Sequence, residues 1–420
     1  MIDFPNNPTV GQQFTAAGVT WTWDGAKWVA NGLNVPYLPL TGGTLTGPLT
    51  LVGNPAAALQ PATKQYVDYI EAAYPLGDNR IINGDMRISQ RWGGASAATS
   101  SGYGLDRWAF YGTLNGAFTA GQNLNAIAGP VGFPYYWGFQ STAAHALAAA
   151  DVFQIYQPIE ADMIGDFAFG TANAQPVTLS FWARSSLTGT FGGVVANYNV
   201  TRSYPFTYLL PTANTWTKIA LTIPGDTTGT WVMSGNGGAL HVILGLGVGA
   251  TGSGPSNVWA STSYNSATGA VSPVSTNGAT FYITGVKLEI GSVATLFNHQ
   301  SLAKSLADCQ RYYEKSYNAG DRPGTATIAS GEFLYASGPG SGLGGGGMST
   351  RFSVAKRAQP TITVYSGLTG SSGAIFDQNS NVDVAATIFS VGDKSFGWYG
   401  APSAGNGINF LVQWTAEAEL

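Results

Sequence analysis

The feature that most limits what this chain can fold into is a series of short runs in which apolar and polar residues alternate. Val177-Thr178-Leu179-Ser180-Phe181-Trp182-Ala183-Arg184 is one, and Phe281-Tyr282-Ile283-Thr284-Gly285-Val286-Lys287-Leu288-Glu289 is another. A period of two sends successive side chains to opposite faces of a strand, so each run has one face for a core and one for solvent. Further strand signals lie at Val152 to Tyr156, Trp216 to Ile223 and His241 to Leu246, spaced as in a sandwich. No helical run of useful length interrupts them. The expected fold class is all-β, with an antiparallel, jelly-roll-type β-sandwich over residues 78–297. A parallel β-helix is the runner-up, but it would need a regular short repeat that the sequence lacks.

Composition supports this reading and removes several function classes. Charged residues make up 10% of the 420 residues, against roughly 25% in an average soluble domain. Glycine occurs 57 times and aromatics reach 12%, a mixture suited to strands and tight turns with ample core material. The length predicts two to four units. Net charge is −4 with no basic block, which argues against a nucleic-acid partner. The single cysteine, Cys309, excludes an intrachain disulfide framework. No stretch approaches the roughly 18–20 apolar residues of a membrane span, and the N-terminal residues do not read as a secretory leader. Cytoplasmic synthesis without membrane insertion is therefore expected.

Five segments are expected. Residues 1–35 form a small β-hairpin module around Trp21, Trp23 and Trp28, with a turn at Asp24-Gly25. Residues 36–77 form a collar or linker, in which Gly42-Gly43 and Gly47-Pro48 punctuate short Leu/Thr strands. Three copies of it could bury Leu40, Leu45, Leu49 and Leu51 about an axis. A helix from about Pro61 carries Thr63, Tyr66, Ile70 and Ala73 at spacings of three and four, the seam of a short coiled coil or the face of a helix packed on its own chain. The sandwich of residues 78–297 comes next. A second helix, within residues 298–317 and about fifteen residues long, spaces Leu302, Leu306, Cys309 and Tyr313 in the same way. Residues 318–420 form a C-terminal β tip domain.

Several of these segments resemble one family. Phe4-Pro5-Asn6-Asn7-Pro8-Thr9-Val10-Gly11 with Thr20-Trp21-Thr22-Trp23-Asp24-Gly25-Ala26-Lys27-Trp28 looks like the N-terminal segment of many bacteriophage tail proteins. Thr41-Gly42-Gly43-Thr44-Leu45-Thr46-Gly47-Pro48-Leu49, followed by Ala62-Thr63-Lys64-Gln65-Tyr66-Val67-Asp68, resembles a linking motif of phage tail fibres. Asn83-Gly84, Asp106-Arg107-Trp108 and Lys287-Leu288-Glu289 resemble landmarks of carbohydrate-binding-module-like sandwiches in tail proteins, and Cys309-Gln310-Arg311-Tyr312-Tyr313-Glu314-Lys315 a run that follows them. The resemblance implies a homotrimeric tail fibre or receptor-binding protein located in the virion tail. Its trimer contacts would come from Leu45, Leu49, Tyr66, Ile70, Leu302, Leu306, Cys309 and Tyr313. Trp21, Trp23 and Trp28 would attach it to other tail or baseplate proteins.

Motifs for covalent chemistry are scarce. His145, His241 and His299 lack metal spacing, and neither a nucleophile elbow nor a phosphate loop is present. Glu160, Asp162 and Asp166 form the densest acidic patch, read as a solvated turn, a calcium site stabilising the sandwich, or a catalytic pair of the kind that cleaves glycans. No cofactor, no metal and no enzymatic activity are expected. Aromatics carry the functional expectation, because sugar rings stack their C–H faces on aromatic planes. Tyr135, Tyr136 and Trp137 are the first candidates, read as an exposed loop platform, and Trp231 and Trp259 the next. For any one of them, a place in the core or at a subunit interface outweighs glycan contact. The expected function is adhesion to a host surface glycan, with a baseplate adaptor and a polysaccharide depolymerase as rivals.

Overall fold

In a computed structural model of the protein, the structure describes residues 3–16, 18–31, 78–336, 348–401 and 408–420. The chain divides into two compact units, Met1–Tyr74 and Pro75–Leu420. In the first, Gln13–Ala16, Val19–Trp23 and Trp28–Asn31 form a three-stranded antiparallel sheet. Asp24 makes the tight turn by accepting the amides of Ala26 and Lys27 at 2.8 and 2.9 Å. The Trp28 ring stacks on Phe4, the Trp21 ring meets Phe4 edge-on, and Trp23 tilts against Trp28. The expected hairpin thus gains a third strand and an aromatic cluster of its own. Leu45, Leu49, Tyr66 and Ile70 lie outside the described residues.

The second unit is mostly β, with a single α-helix among the described residues. Its first part is a sandwich of two six-stranded antiparallel sheets. One sheet runs Thr217–Ile223, Val177–Ser185, Thr280–Ile290, Trp137–Ser141, Phe118–Gln122 and Ala97–Ala98. The other runs Ser203–Leu210, Gly189–Asn197, Gly238–Val248, Val152–Glu160, Trp108–Gly112 and Gly102–Leu105. The alternation read in the sequence sorts the faces: Val177, Leu179, Phe181 and Ala183 enter the core with Trp108, Phe139 and Phe153. Asn83 and Gly84 lock the entry to this sandwich. The Asn83 side chain exchanges hydrogen bonds with the Ile88 backbone and donates to the Asp106 carbonyl, while the Asn83 backbone carbonyl accepts the Trp108 indole N–H. A Cβ on Gly84 would lie 2.1 Å from the Val286 carbonyl oxygen, so only glycine allows that approach.

The C-terminal sheet is built around Ile408–Glu417. Tyr313–Lys315, Glu332–Ala336, Thr361–Ser366 and Ala374–Asp377 all pair with this last strand. Trp398, Phe396, Phe410 and Trp414 fill the core beneath it.

The helix between the two sheets is shorter than the fifteen residues expected. It spans Leu302–Gln310, begins at an N-cap in which the Ser301 hydroxyl accepts the Lys304 amide, and is over before Tyr313. Tyr313 opens a strand instead, so the helical seam through it is corrected. Pairing with Glu417, together with the Arg91 guanidinium 3.8 Å above the Tyr313 ring, outweighs the three–four spacing. Cys309 and Tyr313 are buried inside their own chain, Leu306 is half-buried, and Leu302 is exposed.

Past the final strand the chain folds back against the sandwich. Arg107 is buried, its guanidinium 3.6 Å from the Tyr312 ring, hydrogen-bonded to the Pro158 carbonyl and ion-paired with Glu419. Arg91 reaches Glu419 at 3.2 Å and Glu417 at 3.3 Å. Burial opposes the charge on both arginines, yet the facing glutamates hold each guanidinium's pKa above its ordinary value.

Candidate functional site

The five aromatic residues singled out in the sequence separate in the structure. Trp137 begins a strand, and its indole points into the sandwich core, fully covered. Tyr136 faces the other way and is also buried, packed edge-on against Tyr282 and Trp216. Tyr135 is half-buried against the core. An exposed platform of Tyr135, Tyr136 and Trp137 is therefore corrected: strand geometry sends neighbours to opposite faces, and both faces are covered here.

Trp231 and Trp259, by contrast, are brought together. Trp231 lies in the loop between Thr217–Ile223 and Gly238–Val248; Trp259 lies in the loop beyond Ser253–Gly254, held by reciprocal backbone hydrogen bonds between Ser203 and Ala260. Their rings sit 5.7 Å apart at 90°, and both rest edge-on against buried Phe169. Each indole N–H is fixed, Trp231 donating to Asp226 at 3.1 Å and Trp259 to the Pro224 carbonyl at 2.8 Å. Asp226 organises the surround. It accepts both the Nε and Nη2 of Arg202, at 2.8 and 2.6 Å, and the amide and hydroxyl of Thr228. Burial works against its ionisation, but the bonds from Arg202, Trp231 and Thr228 hold its carboxyl below the usual carboxylate range. Arg202 also donates to the Ser261 hydroxyl, tying the two loops together.

The result is a pair of half-buried rings held by the Arg202–Asp226 ion pair, with Val232, Asn257 and Val258 exposed nearby in sequence. Such a surface can stack on the C–H face of a ring and needs little ordering on binding. Arg202 and Asp226 were not legible as site residues, because their pairing joins loops 24 positions apart. The only local hint is the turn-rich run Pro224-Gly225-Asp226-Thr227-Thr228.

The acidic patch does not converge. Glu160 ends its strand in a bidentate pair with Arg311 and takes the Tyr312 hydroxyl at 2.5 Å. Asp162 lies beyond it in a 3-10 turn and accepts the Gly235 amide, while Asp166 pairs with Arg80 at 2.6 Å. Among the described residues no three metal-ligating side chains form a cluster. A cleft of about 510 Å³ opens here, but its buried carboxylates each face a cation, Glu160 the Arg311 guanidinium and Asp85 the Arg87 guanidinium at 3.7 Å.

His241 is a structural histidine with a measurable consequence. Its ring lies between Tyr156 and Tyr198, at 5.5 and 4.9 Å, and burial lowers its pKa from 6.5 to about 4. An unfolded imidazole takes up a proton near pH 6.5 and the folded one does so only near 4. The contribution to stability is thus complete above pH 6.5 and is lost as pH falls toward 4, by up to about 3 kcal/mol. Urea midpoints at pH 7.5 and 4.5 should show this loss in the native chain and a smaller one in His241→Gln.

Comparison with known proteins gives a limited picture. The sequence matches no family model and no curated protein. Among solved structures, the enzymatically active domain of bacteriophage CBA120 tailspike protein 4 is 13% identical with a TM-score of 0.27; the match covers 51% of this chain but only 21% of that one. A module titled TmCBM61, in complex with β-1,4-galactotriose, is 10% identical with a TM-score of 0.27, over 51% of this chain and 99% of its own. A putative sugar-binding protein from Bacteroides thetaiotaomicron is 12% identical with a TM-score of 0.30, over 51% of this chain and 100% of its own. These scores fall well below the level at which a shared fold follows.

Proposed function

We propose that this chain is an adhesive protein of the bacteriophage tail-fibre kind, whose sandwich holds a host-surface glycan without covalent chemistry. The observation that carries the glycan reading is the Trp231–Trp259 pair, two half-buried rings fixed by Asp226, Pro224 and Phe169. The linking motif of residues 41–49 supports the tail-fibre part, together with the virion-tail location, the attachment to other tail proteins and a homotrimer. With Cys309 and Tyr313 occupied within the chain, the trimer reading rests on that motif and on exposed Leu302. Three copies of a weak site acting together would raise avidity by roughly 10²–10⁴-fold. The neutralised carboxylates at Glu160 and Asp166 support binding over hydrolysis.

Host-cell and glycan binding by Trp231→Ala and Trp259→Ala tests this. Each change should weaken a single site by about 0.5–1.5 kcal/mol, roughly two- to tenfold, with secondary structure retained. Unchanged binding in both variants would sink the assignment. Shortening of purified polysaccharide on incubation would favour a depolymerase instead, and a monomer in light scattering would end the trimer.

A further inference from the structure

On the outer face of the sheet that contains Val177–Ser185 lies a second concavity, a groove of about 280 Å³. Ser180 and Trp182 form its floor, because alternation turns them away from Leu179, Phe181 and Ala183. Val131 to Phe133 make one wall and Thr295 to Phe297 the other. Both walls are built rather than incidental. The strand Thr280–Ile290 bulges opposite Phe181, with Gly285 at φ +63°. A Cβ there would meet the Phe133 ring at 2.8 Å and the Trp182 ring at 3.1 Å, so the glycine lets both rings approach the strand. The far wall hangs on a buried ion pair, Lys287 to Glu289 at 3.0 Å. Glu289 accepts the amide and hydroxyl of Thr295, and Lys287 donates to the Leu296 carbonyl. Phe297 and His299 close one end, each about 5 Å from Phe133.

The electrostatics of this groove run against those of the chain. Acids outnumber bases by 22 to 18 overall, yet no Asp or Glu lines the groove. Lys218, directly across the ladder from Trp182, is exposed at its rim and has no ion-pair partner among the described residues. Arg184 follows Trp182 by two positions on the same face. The volume falls just below the roughly 300–1,000 Å³ of sites for drug-sized ligands, which leaves room for one ring.

We propose that this groove binds a carboxylate-bearing pyranose, one acidic residue of a glycan, with its ring on Trp182 and its carboxylate facing Lys218. It is a second site, separate from the Trp231–Trp259 pair, and rests on the reading above only in taking the ligand to be a glycan. Uronic and sialic acids share this chemistry, so both are used as probes. The full chain is titrated by calorimetry with a glucuronate oligosaccharide, a sialyl oligosaccharide and the carboxyl-reduced form of each. At least one acidic probe should bind, and its reduced form should bind roughly five- to tenfold more weakly. Lys218→Gln should erase that difference while Lys218→Arg keeps it, both with unchanged melting. Trp182→Leu should weaken both forms. The proposal is overturned if neither acidic probe binds, or if the preference for the acid survives Lys218→Gln. A combined Trp231→Ala, Trp259→Ala variant separates the two readings. Acid preference that persists there and vanishes in Lys218→Gln supports the groove alone; acid preference lost in the tryptophan variant but kept in Lys218→Gln supports the loop pair alone.

Discussion

Replacing Arg107 with alanine should destabilise the unit from Pro75 onward by about 3–5 kcal/mol. The guanidinium is sealed between Tyr312, the Pro158 carbonyl and Glu419. Its loss leaves a cavity and a buried glutamate whose remaining cation, Arg91, is shared with Glu417. A buried pair of this kind is costly to break, though not necessarily to replace. Arg107→Met with Glu419→Gln should therefore recover most of the stability that Arg107→Met alone loses, a non-additivity read from the double-mutant cycle of those two changes in urea. A loss under 1 kcal/mol in the single variant would mean that the network is solvated and that the C-terminal residues do not hold the sandwich.

Trp137→Ala should cost about 3–5 kcal/mol of stability while leaving glycan binding at 25 °C intact. The indole lies in the main core, its ring centroid 4.6 Å from that of Phe139. Thermal unfolding and cell binding measured on the same preparation decide this. Lost binding with an unchanged melting temperature would return Trp137 to the surface and undo the placement of the strand that begins there.

Much of the sandwich was legible because its evidence is local. Strand signals at Val152, Val177, Trp216, His241 and Thr280 correspond to strands in the structure, and alternation alone put Trp182 on the face opposite the core. Phe133 to Trp137 misled for a physical reason. A Gly/Pro-rich run reads as loop, yet a strand starts at its last residue and buries two rings on opposite sides. The helix over residues 302–313 failed in the opposite sense. Its spacing was right for Leu302 to Cys309, but Tyr312 and Tyr313 answer to Arg107, Arg91 and the last strand, partners about 100 to 220 positions away. Of the proposed binding surface, the tryptophans could be named from their Gly-, Ser- and Asn-rich surroundings. The Arg202–Asp226 pair that fixes them could not, since nothing local links two loops.

The position of Ile408–Glu417 governs how the chain must be made. Four earlier strands, beginning at Tyr313, Glu332, Thr361 and Ala374, share this one partner, which leaves the ribosome after all of them. Until it emerges, the edges that will face it have only water to bond, although Ala374–Asp377 can already pair with Val382–Phe389. At about 5–20 residues per second, the stretch from Tyr313 to Glu417 leaves those edges open for roughly 5–20 s on each chain. A message cut short before residue 408 would release several unpaired strand edges and a sandwich whose Arg91 and Arg107 lack their glutamates, so aggregation on the nascent chain is the hazard that this topology carries.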